Sequence, residues 1–265
     1  MDPVLTSEYL SVAVTLVFLT IAAYYDLKTR EVSDKVWAAY APIGAALTIF
    51  RTYLQPSLLI LTVASIALSI LIGFGLVFFG LSGGADAKAM MCLGLTLPLP
   101  PGVVNPILGF FHPFFPIVVL IMAYICSLSV AFWMLARNLA LIASKHPRMF
   151  EGLENETTGK KALALLTGYR TSVERLQSTF YLYPMEKVVD DKNGVHLALQ
   201  LYSNPDVDRD KEVAEFKESL QKVGSPPTVW VTPGLPLLLF VLLAIVIVLI
   251  LGDPLFALIA LLLPH

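Results

Sequence analysis

The chain has 265 residues, 57% apolar and only 14% charged, with a mean hydropathy of +0.75; this balance lies outside that of soluble globular domains and indicates an integral membrane protein. A formal net charge of -2 offers no basic footprint, which excludes nucleic acid as a partner. Cys92 and Cys126 lie in separate apolar runs with no CxxC, so they read as apolar filler rather than as a disulfide framework or a thiolate zinc site.

The start of the chain, with Asp2 and Glu8, lacks the basic head and small-residue cleavage site of a signal peptide, so the first apolar segment is expected to be retained. That segment, residues 5–25, is long enough for a hydrocarbon core that needs roughly 20 helical residues, and it ends at Asp26. Lys28, Arg30 and Lys35 follow and place the next loop in the cytoplasm, which leaves the N-terminus outside. A second segment over residues 36–50, bordered by Trp37 and Tyr53, leads to an outer turn at 51–56. The third, 57–79, carries no charge and returns to the cytoplasm at Leu81-Ser82-Gly83-Gly84-Ala85-Asp86-Ala87-Lys88.

Between Lys35 and Arg137 the acidic and basic residues are Arg51, Asp86 and Lys88, and an ionisable group at membrane depth is by default a functional hypothesis. Gly80 and Gly84 have the spacing that lets membrane helices approach closely. The helix is expected to restart over 87–97 with Asp86 as its N-cap. Pro98, Pro100, Pro101 and Gly102 interrupt it before a second apolar piece at 103–111, so the fourth segment is expected to be one irregular span with a long outer turn. The fifth segment, 114–136, ends in Arg137, Lys145 and Arg148, again cytoplasmic.

Composition then changes. Residues 144–232 read as a mixed module: a helix at 160–166, strands at 179–189 and 195–202 around the Asp191-Lys192-Asn193-Gly194 hairpin signal, an amphipathic helix at 208–223 with Val213, Phe216 and Leu220 on one face, and a short strand at 228–231. A sixth segment runs from Thr232-Pro233-Gly234-Leu235-Pro236 to Leu251, and Gly252-Asp253-Pro254 precedes an apolar tail. The expected fold is therefore an all-α polytopic membrane protein of about six transmembrane helices, with a small mixed α/β cytoplasmic domain between spans five and six. Residues 1–143 hold five spans, 144–232 the soluble domain, and 233–265 the sixth span and tail. Both termini then lie outside, and Asp26 and Asp86 share the cytoplasmic face.

Either acid alone reads as an interfacial cap. Two at one depth, beside an almost uncharged core, read as a pair, because carboxylates held close share a proton: one takes a proton from water while the other donates to a carbonyl. That is acid–base chemistry for amide hydrolysis. The stretch Tyr25-Asp26-Leu27-Lys28-Thr29-Arg30-Glu31-Val32-Ser33-Asp34 resembles the first catalytic region of the archaeal prepilin and preflagellin peptidases, and Gly83-Gly84-Ala85-Asp86-Ala87-Lys88 resembles the second, the GxGD region of these aspartic membrane proteases. The span layout and the Pro-rich 232–236 are also similar. Ala85 in place of Gly and Ser33 in place of a frequent Pro depart from the pattern.

The resemblance implies a membrane aspartic endopeptidase that removes a short basic leader from preflagellin or type IV prepilin-like precursors, without cofactor or metal. Its catalytic pair is Asp26 and Asp86, with Gly83, Gly84, Ala85 and Tyr25 supporting the motifs and Glu31 and Asp34 as candidate leader contacts. Lys88 reads first as a side chain snorkelling to the interface. Asp206, Asp208 and Asp210 mimic the start of a calcium loop, but Lys211 and Lys217 occupy positions that such a loop fills with Gly and Glu. His112, His146, His196 and His265 form no metal-spaced motif. Two rival readings use the same acids, a presenilin or signal-peptide-peptidase kind of intramembrane protease and a proton-coupled transporter; a membrane scaffold built around residues 144–232 is a third.

Overall fold

The helices that open the chain are inside-out by the standard of a soluble protein. In a computed structural model, which describes residues 2–80, 82–144, 149–191, 194–201, 209–224 and 226–262, α1 (Pro3–Thr29) buries Ser7, Glu8, Ser11, Thr15, Ala22 and Ala23 and turns Leu10, Val17 and Tyr24 outward. After a one-turn 3-10 helix, α3 (Leu59–Phe78) buries Thr62, Ser65, Ser69 and Gly73 and exposes Ile60, Phe74 and Phe78. Small and hydroxylated residues at four-residue spacing inside, with large apolar ones outside, are what helices packed in lipid require. By length and composition α1, the 56–78 helical stretch and α5 (Phe115–Ala143) are three candidate membrane spans.

The other apolar helices are shorter or more polar. α2 (Asp34–Leu54) buries Trp37, Tyr40, Gly44 and Thr48, and α9 (Leu237–Leu251) is 15 residues long. The segment expected at 87–97 is α4 (Gly84–Thr96), which starts three residues earlier. Its 13 residues rise only about 20 Å. It is buried on nearly all sides among α1, α2, α3 and α9. The second piece expected at 103–111 is not helical. Such irregular backbone survives at membrane depth only if protein groups satisfy it, and here they do: Ser65 Oγ donates to the Pro98 carbonyl at 2.5 Å, Arg51 Nη2 to that of Pro100 at 3.2 Å, and the amides of Ile107 and Leu108 to the last carbonyls of α9. The tail forms α10 (Pro254–Leu262), whose first turn is capped by Asp253 Oδ1 through the Phe256 amide at 2.9 Å.

The chain divides into two compact units, Met1–Ser127 with Pro236–His265, and Leu128–Leu235. The second begins within α5 and holds α6 (Thr158–Thr167), β1 (Tyr169–Ser172), α7 (Val173–Ser178), β2 (Leu182–Pro184), β3 (Glu186–Asp191), β4 (Gly194–Leu199), α8 (Arg209–Leu220) and β5 (Thr228–Pro233). A three-stranded sheet runs β1-β5-β2 and a hairpin pairs β3 with β4. The strand expected over 179–189 is thus two strands in two sheets, divided at Met185, whose N–H bonds Trp230 while its carbonyl accepts from Gln200. Val213, Phe216 and Leu220 face the core as their spacing indicated, against Leu176, Leu182 and Trp230. The expectations placed on Leu81, Lys145, His146, Arg148, Lys192, Asn193, Tyr202, Asp206, Asp208 and His265 lie outside the described residues.

Candidate active site

Asp26 sits one turn before the end of α1, not beyond it, because the helix continues to Thr29. Arg30 then adopts a left-handed conformation (φ 59°) and its N–H returns to the Asp26 carbonyl, an αL end that glycine fills most often. The turn brings the Arg30 guanidinium to 3.8 Å from Asp26 Oδ1. The other oxygen, Oδ2, accepts the Leu238 amide at 3.3 Å. Leu238 lies in the first turn of α9, whose N-cap position is Pro236, a residue with no side chain to cap it. Asp26 therefore supplies, from α1, the acceptor that the free amides of α9 require.

Asp86 is the third residue of α4 rather than its N-cap. That position belongs to Gly83, whose amide donates to Asp86 Oδ2 at 3.2 Å, the reciprocal half of a capping box. Ser82 Oγ donates to the same oxygen at 2.9 Å. Left-handed backbone falls at Gly80 (φ 63°), which ends α3, and not at 83–85. Ala85 is ordinary helix, so its replacement of the motif's glycine requires no strained backbone.

The fields of Asp26 and Arg30 both reach the Asp86 carboxyl, and that of Asp86 reaches the Tyr124 phenol of α5. The two acids stand on α1 and α4, helices that pack against each other, and each is held by its own donors with no hydrogen bond between them. Among the motif residues, Gly83 engages Asp86 directly, while a Cβ on Gly84 would meet no atom. Tyr25 is exposed and packs edge-on against Tyr24. The two candidate leader contacts part company. Glu31 is exposed in the loop, whereas Asp34 is paired with Lys88 Nζ at 2.5 Å. Ser82, Tyr124 and Leu238 were not singled out from the sequence; the Pro-rich run before α9 was the one available signal, since a proline at a cap position leaves the helix needing an external acceptor. Among the described residues no group of three or more His, Cys, Asp or Glu side chains is arranged to hold a metal.

This arrangement, two acids on separate helices with a short basic loop after the first, was the pattern that suggested a leader peptidase. The type IV leader peptidase family matches residues 13–135, a span that includes both acids, and the archaeal peptidase A24 C-terminus type II matches residues 160–254. The first match thus covers the part of the chain that carries both acids. Its similarity to curated members is distant but nearly end to end. It is 26% identical over 242 residues to the preflagellin peptidase of Methanocaldococcus jannaschii, covering 89% of this chain and 91% of that protein. With the preflagellin peptidase of Methanococcus voltae the identity is 24% over 254 residues, 93% and 97% of the two chains. With that of Methanococcus maripaludis it is 24% over 242 residues, 89% and 92%. These similarities support a peptidase, and Leu238, the donor to Asp26, falls within the C-terminal match.

Proposed function

We propose that this protein is an aspartic endopeptidase that cleaves the short basic leader from preflagellin or type IV prepilin-like precursors, with Asp26 and Asp86 as its catalytic pair. The observation that carries the reading is the family match spanning both acids joined to curated relatives that are preflagellin peptidases over nine tenths of their length. In the reaction one carboxylate takes a proton from water as its oxygen attacks the scissile carbonyl carbon, while the other carboxyl gives its proton to the carbonyl oxygen; the first then passes the proton it took to the amide nitrogen, the C–N bond breaks, and a hydroxyl of the tetrahedral intermediate returns a proton to the second. The pair titrates as a unit, so neither acid is assigned a fixed part. Ser82 and Gly83 hold one oxygen of Asp86 and leave Oδ1 for water or substrate.

The membrane arrangement that fits this reading has six crossings, with α1 to α5 and α9 as the spans, both termini outside, and the Asp pair and the soluble domain of residues 144–232 on the cytoplasmic side. Asp26→Asn and Asp86→Asn are each expected to abolish leader release from a purified precursor while the protein still accumulates in membranes. Cleavage retained by either variant refutes the assignment, and mass spectrometry of the product places the scissile bond.

A further inference from the structure

Asp86 is tied to its own turn and not to the bundle. Its partners Ser82 and Gly83 lie within four residues of it, so they would move with it. Gly80 closes α3 in a left-handed conformation, and Gly83 and Gly84 are exposed: a side chain begun at Gly83 would meet only Asp86 Oδ2 of its own turn, at 3.6 Å, and one begun at Gly84 would meet nothing. Among the described residues, the one polar contact from 82–88 to another helix is that of Lys88 Nζ with Asp34 Oδ1 at 2.5 Å. Asp34 opens α2 and is itself set by the Ser33 cap.

Lys88 lies two positions after Asp86, and side chains two apart on a helix do not face each other. Its ammonium therefore acts on Asp86 through the backbone of the first turn. Asp34 in turn follows Asp26 by eight residues, through Arg30 and a three-residue loop. The charges Asp26, Arg30, Asp34, Lys88 and Asp86 thus alternate in sign from one acid to the other.

We propose that Lys88 is a positioning residue for Asp86: its ion pair with Asp34 holds the first turn of α4 against the head of α2 and so sets where the Asp86 carboxyl stands relative to Asp26. This rests on the catalytic role proposed for Asp86. The pair is open to water, with Asp34 82% and Lys88 44% exposed, and exposed pairs are weak and screened by salt. A loss of up to about fivefold in rate is the scale expected when one is removed.

The test is steady-state leader cleavage by the full-length protein in detergent. Lys88→Met and Asp34→Asn are expected to lower kcat about two- to fivefold with KM unchanged, and Asp34→Lys, which opposes two cations, to lower it further. The exchanged pair, Asp34→Lys with Lys88→Asp, is expected to recover most of the loss. Rising salt should bring the native kcat down toward that of Lys88→Met and leave the variant unmoved. Native kcat in Lys88→Met, or an exchanged pair no better than Asp34→Lys alone, overturns the proposal; the second result would mean that Lys88 acts on Asp86 by charge. A measurement independent of cleavage uses spin labels at positions 38 and 84, with Cys92 and Cys126 replaced by Ala. The inter-label distance distribution is expected to be narrow in the native pair and broad in Lys88→Met, and an unchanged distribution also overturns the proposal. Cleavage retained by Asp26→Asn or Asp86→Asn would instead refute the proposed function and leave the distance result standing.

Discussion

Glu186 should make the second unit lose stability as pH rises through neutrality. It opens β3, is 3% exposed, and accepts the Trp230 amide on Oε1 at 2.8 Å, while Oε2 is buried without a partner. Burial pushes its carboxyl up from the usual 4.5 to about 7, against the lowering effects of the Trp230 amide and the Arg170 guanidinium on β1. Because the folded value lies above the unfolded one, the stabilisation belongs to the protonated form. It is complete below pH 4.5 and is lost as pH rises through about 7. The displacement corresponds to on the order of 3 kcal/mol between the two limits. Glu186→Gln keeps a neutral acceptor for Trp230 and removes the titration. Amide hydrogen exchange of peptides spanning β3 and β5 in the full-length protein, corrected for intrinsic rates, reads the difference. The variant should be better protected than the native chain at pH 8 and equal to it at pH 5. Protection that falls in parallel in both proteins, or native protection that rises with pH, would refute the reasoning.

A second buried charge lies in the membrane unit, where Glu8 Oε1 meets Arg51 Nη2 at 2.8 Å with the side chains 4% and 11% exposed. Removing one member strands the other, so Glu8→Leu or Arg51→Leu alone should cost about 3–5 kcal/mol and the double replacement much less; thermal unfolding in detergent checks this, and an additive double variant would refute it. Gly44→Ala would drive a methyl into Thr96 of α4 and should cost about 1–3 kcal/mol. Gly75→Ala in α3 meets open space and should be neutral or stabilising by up to about 1 kcal/mol, measured on the same melts.

What was legible in the sequence is what rests on local pattern. Asp26 and Asp86 stood out because charge is rare in these segments, and the face of α8 followed from the spacing of Val213, Phe216 and Leu220. The pieces that escaped depend on distant partners. The prolines announce the irregular path of residues 103–111 but not its partners, since the amides of Ile107 and Leu108 pair with α9 carbonyls more than 140 residues later. Residues 179–189 form one apolar run, but β5 takes its first part and β4 the rest. Glu8 looked like part of a polar N-terminus because its partner, Arg51, lay 43 positions away in what read as an outer turn. Asp34 reads from the sequence as a candidate leader contact because nothing local announces its pairing with Lys88.

Asp26 joins the two halves of this problem. Its carboxylate is a cap for α9, 212 positions away in sequence, and simultaneously a neighbour of Asp86. A residue with a structural duty and a proposed chemical one must be tested by a substitution that separates them. Asparagine caps helix N-termini about as well as aspartate, whereas alanine forfeits the cap at roughly 0.5–2 kcal/mol. Asp26→Asn should therefore melt close to the native protein and Asp26→Ala below it, while both fail to cleave. If Asp26→Asn recovered cleavage along with stability, the conspicuous acid at the end of α1 would be a cap alone, and the dyad would have to be sought elsewhere around Asp86.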